Sequence, residues 1–194
     1  FSLRDRETVE DGWWYGGEPI WVTAESQGMV TSAFYFVGTE ADVRGVRPSD
    51  WRPFDMDVPG ATRVDQVLEW LDAPPAARPH LVTLYLGQVD RAGHGHGPDS
   101  PQNAAAVAAV DALVGRLLAG IDNSSRTEPV YLVVVSDHGM MPYVEEPPRF
   151  VVDDVIDMTG VRTGVGGPLL YLFLDDPARA TAIRDAVNDA WSHG

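Results

Sequence analysis

The sequence predicts an α/β fold, a mostly parallel sheet flanked by helices. Two observations carry this. Helix and strand signals alternate along the 194 residues, with no internal repeat and no low-complexity tract. The central stretch reads strand, long amphipathic helix, strand, the unit that joins parallel neighbours through a right-handed crossover.

Each element has a local reason. Gly17-Glu18-Pro19 opens a short helix that stops at Gly28. Residues 29–37, MVTSAFYFV, are β-branched and aromatic and read as a strand. Residues 38–60 mix Gly, Pro and Asp without periodicity and read mostly as loop. Thr62 with Asp65 three residues on can cap a helix, and Val64, Val67, Leu68 and Leu71 give it an apolar stripe. Residues 81–87, LVTLYLG, read as a buried strand. Ser100-Pro101 starts a helix whose stripe is Val107, Val110, Val114, Leu117 and Leu118, with Gly120 placed to end it. Residues 130–135, VYLVVV, read as the next parallel strand, and residues 169–174, LLYLFL, as another. Asp176-Pro177 then opens a helix with Ile183, Val187 and Trp191 on its inner face.

Composition narrows the function. Apolar residues make up 44%, which argues against disorder. No apolar run approaches the roughly 20 residues of a membrane helix. The net charge is −15, and all 14 basic residues are arginine. That balance disfavours a nucleic-acid duplex as partner, although bound metal ions can reverse the sign of a pocket for a small anionic substrate. Cysteine is absent, so disulfides and thiolate metal sites are excluded. The chain starts at Phe1 without a signal-peptide pattern and ends on a helix, which reads as one partial domain, 1–194, cut from a longer protein. Missing strands would leave exposed edges and apolar faces, hence a tendency to aggregate.

Chemistry concentrates at two strand ends. One carries Asp90-Arg91-Ala92-Gly93-His94 and the other Asp137-His138-Gly139. In open parallel sheets ligands bind beyond the carboxyl ends of the strands, so neighbouring strands would gather all four side chains at one rim. Carboxylate oxygen with neutral imidazole nitrogen suits Zn²⁺ and tolerates Mn²⁺ or Fe. The bland alternative is that Asp137 caps a turn and His138 is a surface residue, while Gly93 to Gly97 forms a mobile loop. His96 is the competing ligand there, and His80 sits at the wrong edge of its strand.

The stretches LVTLYLGQVDRAGHGHGP, VVVSDHGM and GGEPIW resemble the nucleotide pyrophosphatase/phosphodiesterase family of the alkaline phosphatase superfamily. The resemblance runs from Phe1 to about Gly139 and more faintly beyond. It implies an alkaline-phosphatase-like fold and two zinc ions, one held by Asp90 and His94, the other by Asp137 and His138. It implies a threonine nucleophile and two further ligands outside the matching region, so that no catalytic nucleophile is assigned within the chain. It implies a nucleotide phosphodiester or pyrophosphate as substrate, a nucleoside monophosphate as product, and a periplasmic or secreted location. It also places Tyr85, Phe54 and Leu3 in register with a nucleobase pocket, although Tyr85 can equally be core and Phe54 a loop pin. Trp13, Trp14 and Trp21 read as packing residues, and Arg91 as a solvated arginine within reach of a phosphate. Two alternatives stand beside this reading. One is another hydrolase of the same superfamily: a phosphomonoesterase, phosphonate hydrolase or sulfatase. The other is a binding module without catalysis.

Overall fold

The computed structural model describes residues 5–126, 128–142, 150–166 and 169–192. The chain divides into two units, Phe1–Pro142 and Tyr143–Gly194.

In the first unit, helix α1 (Arg6–Glu10) is capped by Asp5, whose side chain accepts from the Glu7 amide. Helix α2 (Ile20–Ser26) follows Pro19, and Gly28 at φ +79° turns the chain out of it. Strand β1 (Thr31–Phe34) is buried at every position, because it lies at the centre of a parallel sheet ordered β2-β1-β3. Strand β3 (Leu81–Leu84) pairs with β1 in the register Thr31 to Leu81 and Phe34 to Leu84. Strand β2 (Asp50–Arg52) pairs on the other side, inside the stretch expected to be loop. Its sequence, Asp-Trp-Arg, has no apolar alternation; backbone pairing to β1 makes it a strand. Strand β1 is also shorter than expected, and Phe36 and Val37 beyond it are exposed.

Helix α3 (Gly60–Leu71) starts behind Pro59, so Thr62 lies inside the first turn and is not the cap. The helix packs its stripe onto the sheet. Phe34, Tyr35, Val64, Val67, Trp70, Leu71 and Leu117 form the core, with Leu68, Val82, Leu84, Leu113 and Ile121 against it. Helix α4 (Gln88–His96) follows β3 after the three residues Tyr85, Leu86 and Gly87. Helix α5 (Pro101–Asn123) opens with the Ser100 hydroxyl accepting from the Asn103 amide, and it runs past Gly120. Gly120 is tolerated there because the Leu68 side chain fills the space a Cβ would take. With 23 residues, α5 is, by length and composition alone, long and apolar enough to cross a membrane, although no uninterrupted apolar run in it approaches that length. Asp111, Arg116 and Asp122 interrupt its sequence, and Leu117 is buried in the core.

The strand expected over 130–135 does not form among the described residues. Five of its six side chains are exposed, from Leu132 at 41% to Tyr131 at 88%. Apolar residues on both faces suit a strand with neighbours on either side, and the segment has no ladder partner among the described residues. Propensity alone does not make a strand. Trp21 is buried as expected, but Trp13 is 77% exposed and Trp14 is exposed with it, the two rings meeting edge to face.

Glu25 ties the sheet at its entry. One oxygen, Oε1, accepts from the Thr31 amide and hydroxyl (2.8 and 2.6 Å) and from the Ser49 amide and hydroxyl (2.9 and 2.8 Å). Burial works to raise the carboxyl pKa, but these hydrogen bonds outweigh it and hold the pKa below the usual range. A depressed folded-state pKa gives stability that is present above the unfolded value and lost as pH falls through the folded one. Glu25→Gln should therefore cost about 1–2 kcal/mol at neutral pH, the usual range for a partly exposed charged acceptor. The gap from wild type should close below about pH 4 in urea unfolding curves. A gap independent of pH would contradict this.

The second unit is a hairpin and a helix. Strands β4 (Val161–Gly166) and β5 (Leu169–Leu174) pair antiparallel, Val161 opposite Leu174. The sequence showed β5 but not β4, whose two glycines and Arg-Thr pair weaken the signal. Asp176 accepts from the Ala178 amide and starts a short turn that leads into helix α6 (Ala180–Ser192). Ile183 is buried as expected, but Trp191 is 71% exposed and meets Phe150 edge-on at 5.7 Å.

Candidate metal centre and aromatic wall

Asp90 and His94 ride on α4, one helical turn apart. That spacing puts both on one face, and His94 Nε2 lies 3.3 Å from Asp90 Oδ1. The stretch expected as a possible mobile loop is helix through His96, and Gly97 at φ +86° ends it. His96, two residues past His94, points about 200° away around the helix. His80 is exposed at the start of β3, the far end from α4.

The second couple reaches the same place without a strand behind it. The chain bends at Asp137, and Met140 lays its thioether on Gly93, where a Cβ would otherwise stand. The absence of a side chain at Gly93 therefore docks the second couple on α4. His138 Nε2 then lies 3.8 Å from Asp90 Oδ1 and 3.7 Å from Asp137 Oδ2. The Ser136 hydroxyl donates to the His138 carbonyl at 2.6 Å and so is engaged in the turn.

The donors form a chain of contacts, His94 to Asp90 to His138 to Asp137. Among the described residues, no three His, Asp or Glu side chains gather closely enough to hold a metal ion together. The tautomer of His138 can be argued. Its Nδ1 lies 2.9 Å from the Gly139 carbonyl, and a carbonyl only accepts, so Nδ1 carries a proton. In the neutral ring, Nε2 is then a lone pair facing a carboxylate oxygen. That arrangement repels unless a proton or a cation stands between, and a fixed Nδ1–H is how a metal-binding imidazole is oriented. The Gly139 carbonyl, then the Asp137 charge, hold the imidazolium up from its ordinary range. By donor type alone, two carboxylates and two imidazoles are the chemistry that suits a divalent cation of the zinc type.

Beside the donors stands an aromatic wall. Tyr85 lies one residue past β3, where its amide still donates to the Phe34 carbonyl at 3.0 Å and its ring folds over Gly87. Burial, then the Asp90 and Asp137 charges, push its phenol pKa up, so the hydroxyl keeps its proton. Phe54, exposed on the loop after β2, has its ring centroid 6.3 Å from that of Tyr85 and 5.4 Å from that of Tyr35. Leu3 lies outside the described residues. A cleft of about 290 Å³ opens nearby, lined by Met56, Val58, Gly60, Arg63, Gln88 and Arg91.

Two residues of this region carried no clear motif. Tyr35 reads as plain strand, yet it follows β1 at φ +56° and turns its ring to Phe54. Arg63 is buried on the inner face of α3, four residues before Val67. A charge in register with an apolar stripe was the signal available for it.

Residues 1–193 match the family model described as type I phosphodiesterase / nucleotide pyrophosphatase. Human ectonucleotide pyrophosphatase/phosphodiesterase family member 1 is 39% identical over 140 residues, 72% of this chain and 15% of that protein. An uncharacterised pyrophosphatase/phosphodiesterase of Schizosaccharomyces pombe is 38% identical over 158 residues, 81% of this chain and 32% of its own. Among solved structures, murine ectonucleotide pyrophosphatase / phosphodiesterase 5 superposes with a TM-score of 0.79 at 25% identity. That match covers 96% of this chain and 49% of the murine one, and an inactive variant of the murine protein is known in complex with AMP. The chain thus spans less than a third of the human and yeast relatives and about half of the solved murine chain. The likeness agrees with the α/β fold and identifies it as alkaline-phosphatase-like.

Proposed function

Because this chain belongs to the type I phosphodiesterase / nucleotide pyrophosphatase family, we propose that it supplies the metal rim and the base-stacking wall of a nucleotide hydrolase. The bond cleaved is a phosphodiester or pyrophosphate, and the product is a nucleoside monophosphate. Asp90 and His94 would hold one zinc ion, and Asp137 and His138 a second. The observation that carries this reading is the convergence of both couples, 3.3 and 3.8 Å from one Asp90 oxygen, beside Tyr85.

The residues divide the work. Divalent ions held at this rim would supply positive charge to a phosphoryl group in displacement at phosphorus. Asp90 and Asp137 provide the negative charge that retains them, and Gly139 fixes the ring orientation of His138. Tyr85 and Phe54 present π-faces to the base, a contact of about 1–3 kcal/mol in single-strand binding. Arg91, exposed at the edge of the cleft, is within the right region to meet a phosphate oxygen. The AMP complex of the murine relative supports a nucleoside monophosphate as ligand.

The test compares 4-nitrophenyl thymidine 5′-monophosphate with 4-nitrophenyl phosphate as substrates for the full-length protein with zinc. The diester should be preferred. Preference for the monoester would move the protein to another branch of the superfamily. Zinc binding should also depend on pH. Protons compete for the imidazoles, and the His138 pKa lies above its ordinary value, so affinity falls as pH drops. Competition titrations at pH 7.5 and 5.5 should differ by at least about tenfold. Equal affinities would remove His138 from the ligand set.

A further inference from the structure

Arg63 stands out as a charge inside the core. Its residue exposure is 4%, and no ion pair with a carboxylate satisfies it among the described residues. A buried cation without such a partner is costly unless its donors are used, and here they are. Nε donates to the Val58 carbonyl at 3.0 Å, Nη1 to the Tyr85 carbonyl at 3.0 Å and Nη2 to the Asp55 carbonyl at 3.3 Å. The guanidinium lies 4.6 Å from the centroid of the Tyr35 ring.

These four contacts share a destination. Asp55 and Val58 belong to the loop that carries Phe54, the third carbonyl is that of Tyr85 itself, and the ring is Tyr35. Tyr35 also holds a left-handed backbone at φ +56°, a conformation that a bulky aromatic adopts only when its surroundings enforce it. Its ring is held between Arg63 and Phe54. A planar fork with fixed donor directions suits the task of setting distances among three segments, where a lysine would satisfy fewer carbonyls.

We propose that Arg63 is a positioning residue that sets the spacing of Tyr35, Phe54 and Tyr85, and through it the preference for substrates that carry a nucleobase. The inference rests on the reading of the wall as the base site. It differs from a stabilising role for Arg63 in one measurable respect: selectivity between substrates with and without a base.

The experiment uses the full-length protein and its variants Arg63→Met, Arg63→Lys and Phe54→Ala. Each is assayed on 4-nitrophenyl thymidine 5′-monophosphate and on methyl 4-nitrophenyl phosphate, which share a leaving group. The ratio of their kcat/KM values is the readout. Arg63→Met should lower the ratio roughly five- to tenfold, the size of a lost stacking contact. The change should appear in KM for the nucleotide, and Arg63→Lys should recover part of it. Should Arg63→Met fail to fold, the lysine variant decides alone: a ratio below wild type supports the inference and an unchanged ratio overturns it. Equal losses on both substrates reduce Arg63 to fold support and overturn the inference. A ratio lowered by Phe54→Ala but by neither Arg63 variant overturns it while leaving the base site standing. An unchanged ratio in all three variants removes the base site and the inference together.

Discussion

Asp90→Asn should lower kcat/KM of the full-length protein on a nitrophenyl nucleotide by more than about 100-fold, and its zinc content should fall with the activity. The magnitude follows from position. Loss of a group that only orients a metal-binding side chain costs about 10–100-fold, and a direct ligand should cost more. Asp90 is the link between the two couples, with His94 Nε2 at 3.3 Å and His138 Nε2 at 3.8 Å from the same oxygen. Asparagine keeps the shape and removes the charge. Two imidazoles would then face a neutral amide, and the rim would lose half of the anionic charge its carboxylates provide. Asp111→Asn, on an exposed position of α5, serves as the control for net charge. Zinc content by atomic absorption and rate by nitrophenolate release give two independent readouts. A variant with wild-type zinc and wild-type rate would end the assignment of this rim as the metal centre.

Trp70→Ala should destabilise the first unit by about 3–5 kcal/mol, the range for truncating a buried aromatic. Trp70 is 8% exposed, and its ring lies 6.1 Å from that of Phe34 across the core. Its indole N–H donates to Asp50 Oδ2 at 2.8 Å, and Arg52 lies over the ring at 5.4 Å. One side chain thus fills the core and pins both ends of the three-residue strand β2 to α3. Trp70→Phe keeps much of the volume and loses the donor, so its cost should be nearer the roughly 1 kcal/mol of a hydrogen bond plus a small packing loss. Urea midpoints for the two variants should rank in that order. The loss of β2 anchoring has a functional reading, because Phe54 follows that strand by two residues. Equal stabilities of wild type and Trp70→Ala would refute the packing argument.

Much of the fold could be read from local signals. Ser100-Pro101 marks the start of α5 because a hydroxyl cap and a proline at the first position are physical requirements of a helix entry. Val64, Val67 and Leu71 mark the face of α3 because burial imposes the helical period. Where a non-local partner decides, local signals fail. Val130 to Val135 have the composition of a central strand and no ladder partner among the described residues, while Asp50 to Arg52 have a polar composition and such a partner. Residue types pointed to the candidate site, since two Asp-His couples suggest a cation whatever element holds them. Its means of assembly was hidden. Contact between Met140 and Gly93 is a matter of one missing side chain, and neither residue type announces it. Arg63 and Tyr35 were missed because their roles lie in carbonyls and a backbone angle, which are not properties of composition.

The one-turn separation of Asp90 and His94 has a consequence for how this gene can vary. Substitution between them changes a side chain, but inserting or deleting a single residue would swing His94 about 100° around the helix axis. Such a change would carry it off the face it shares with Asp90, even with every original side chain retained. Natural variants of this protein should therefore differ in spelling across residues 91–93 while holding the number of letters fixed.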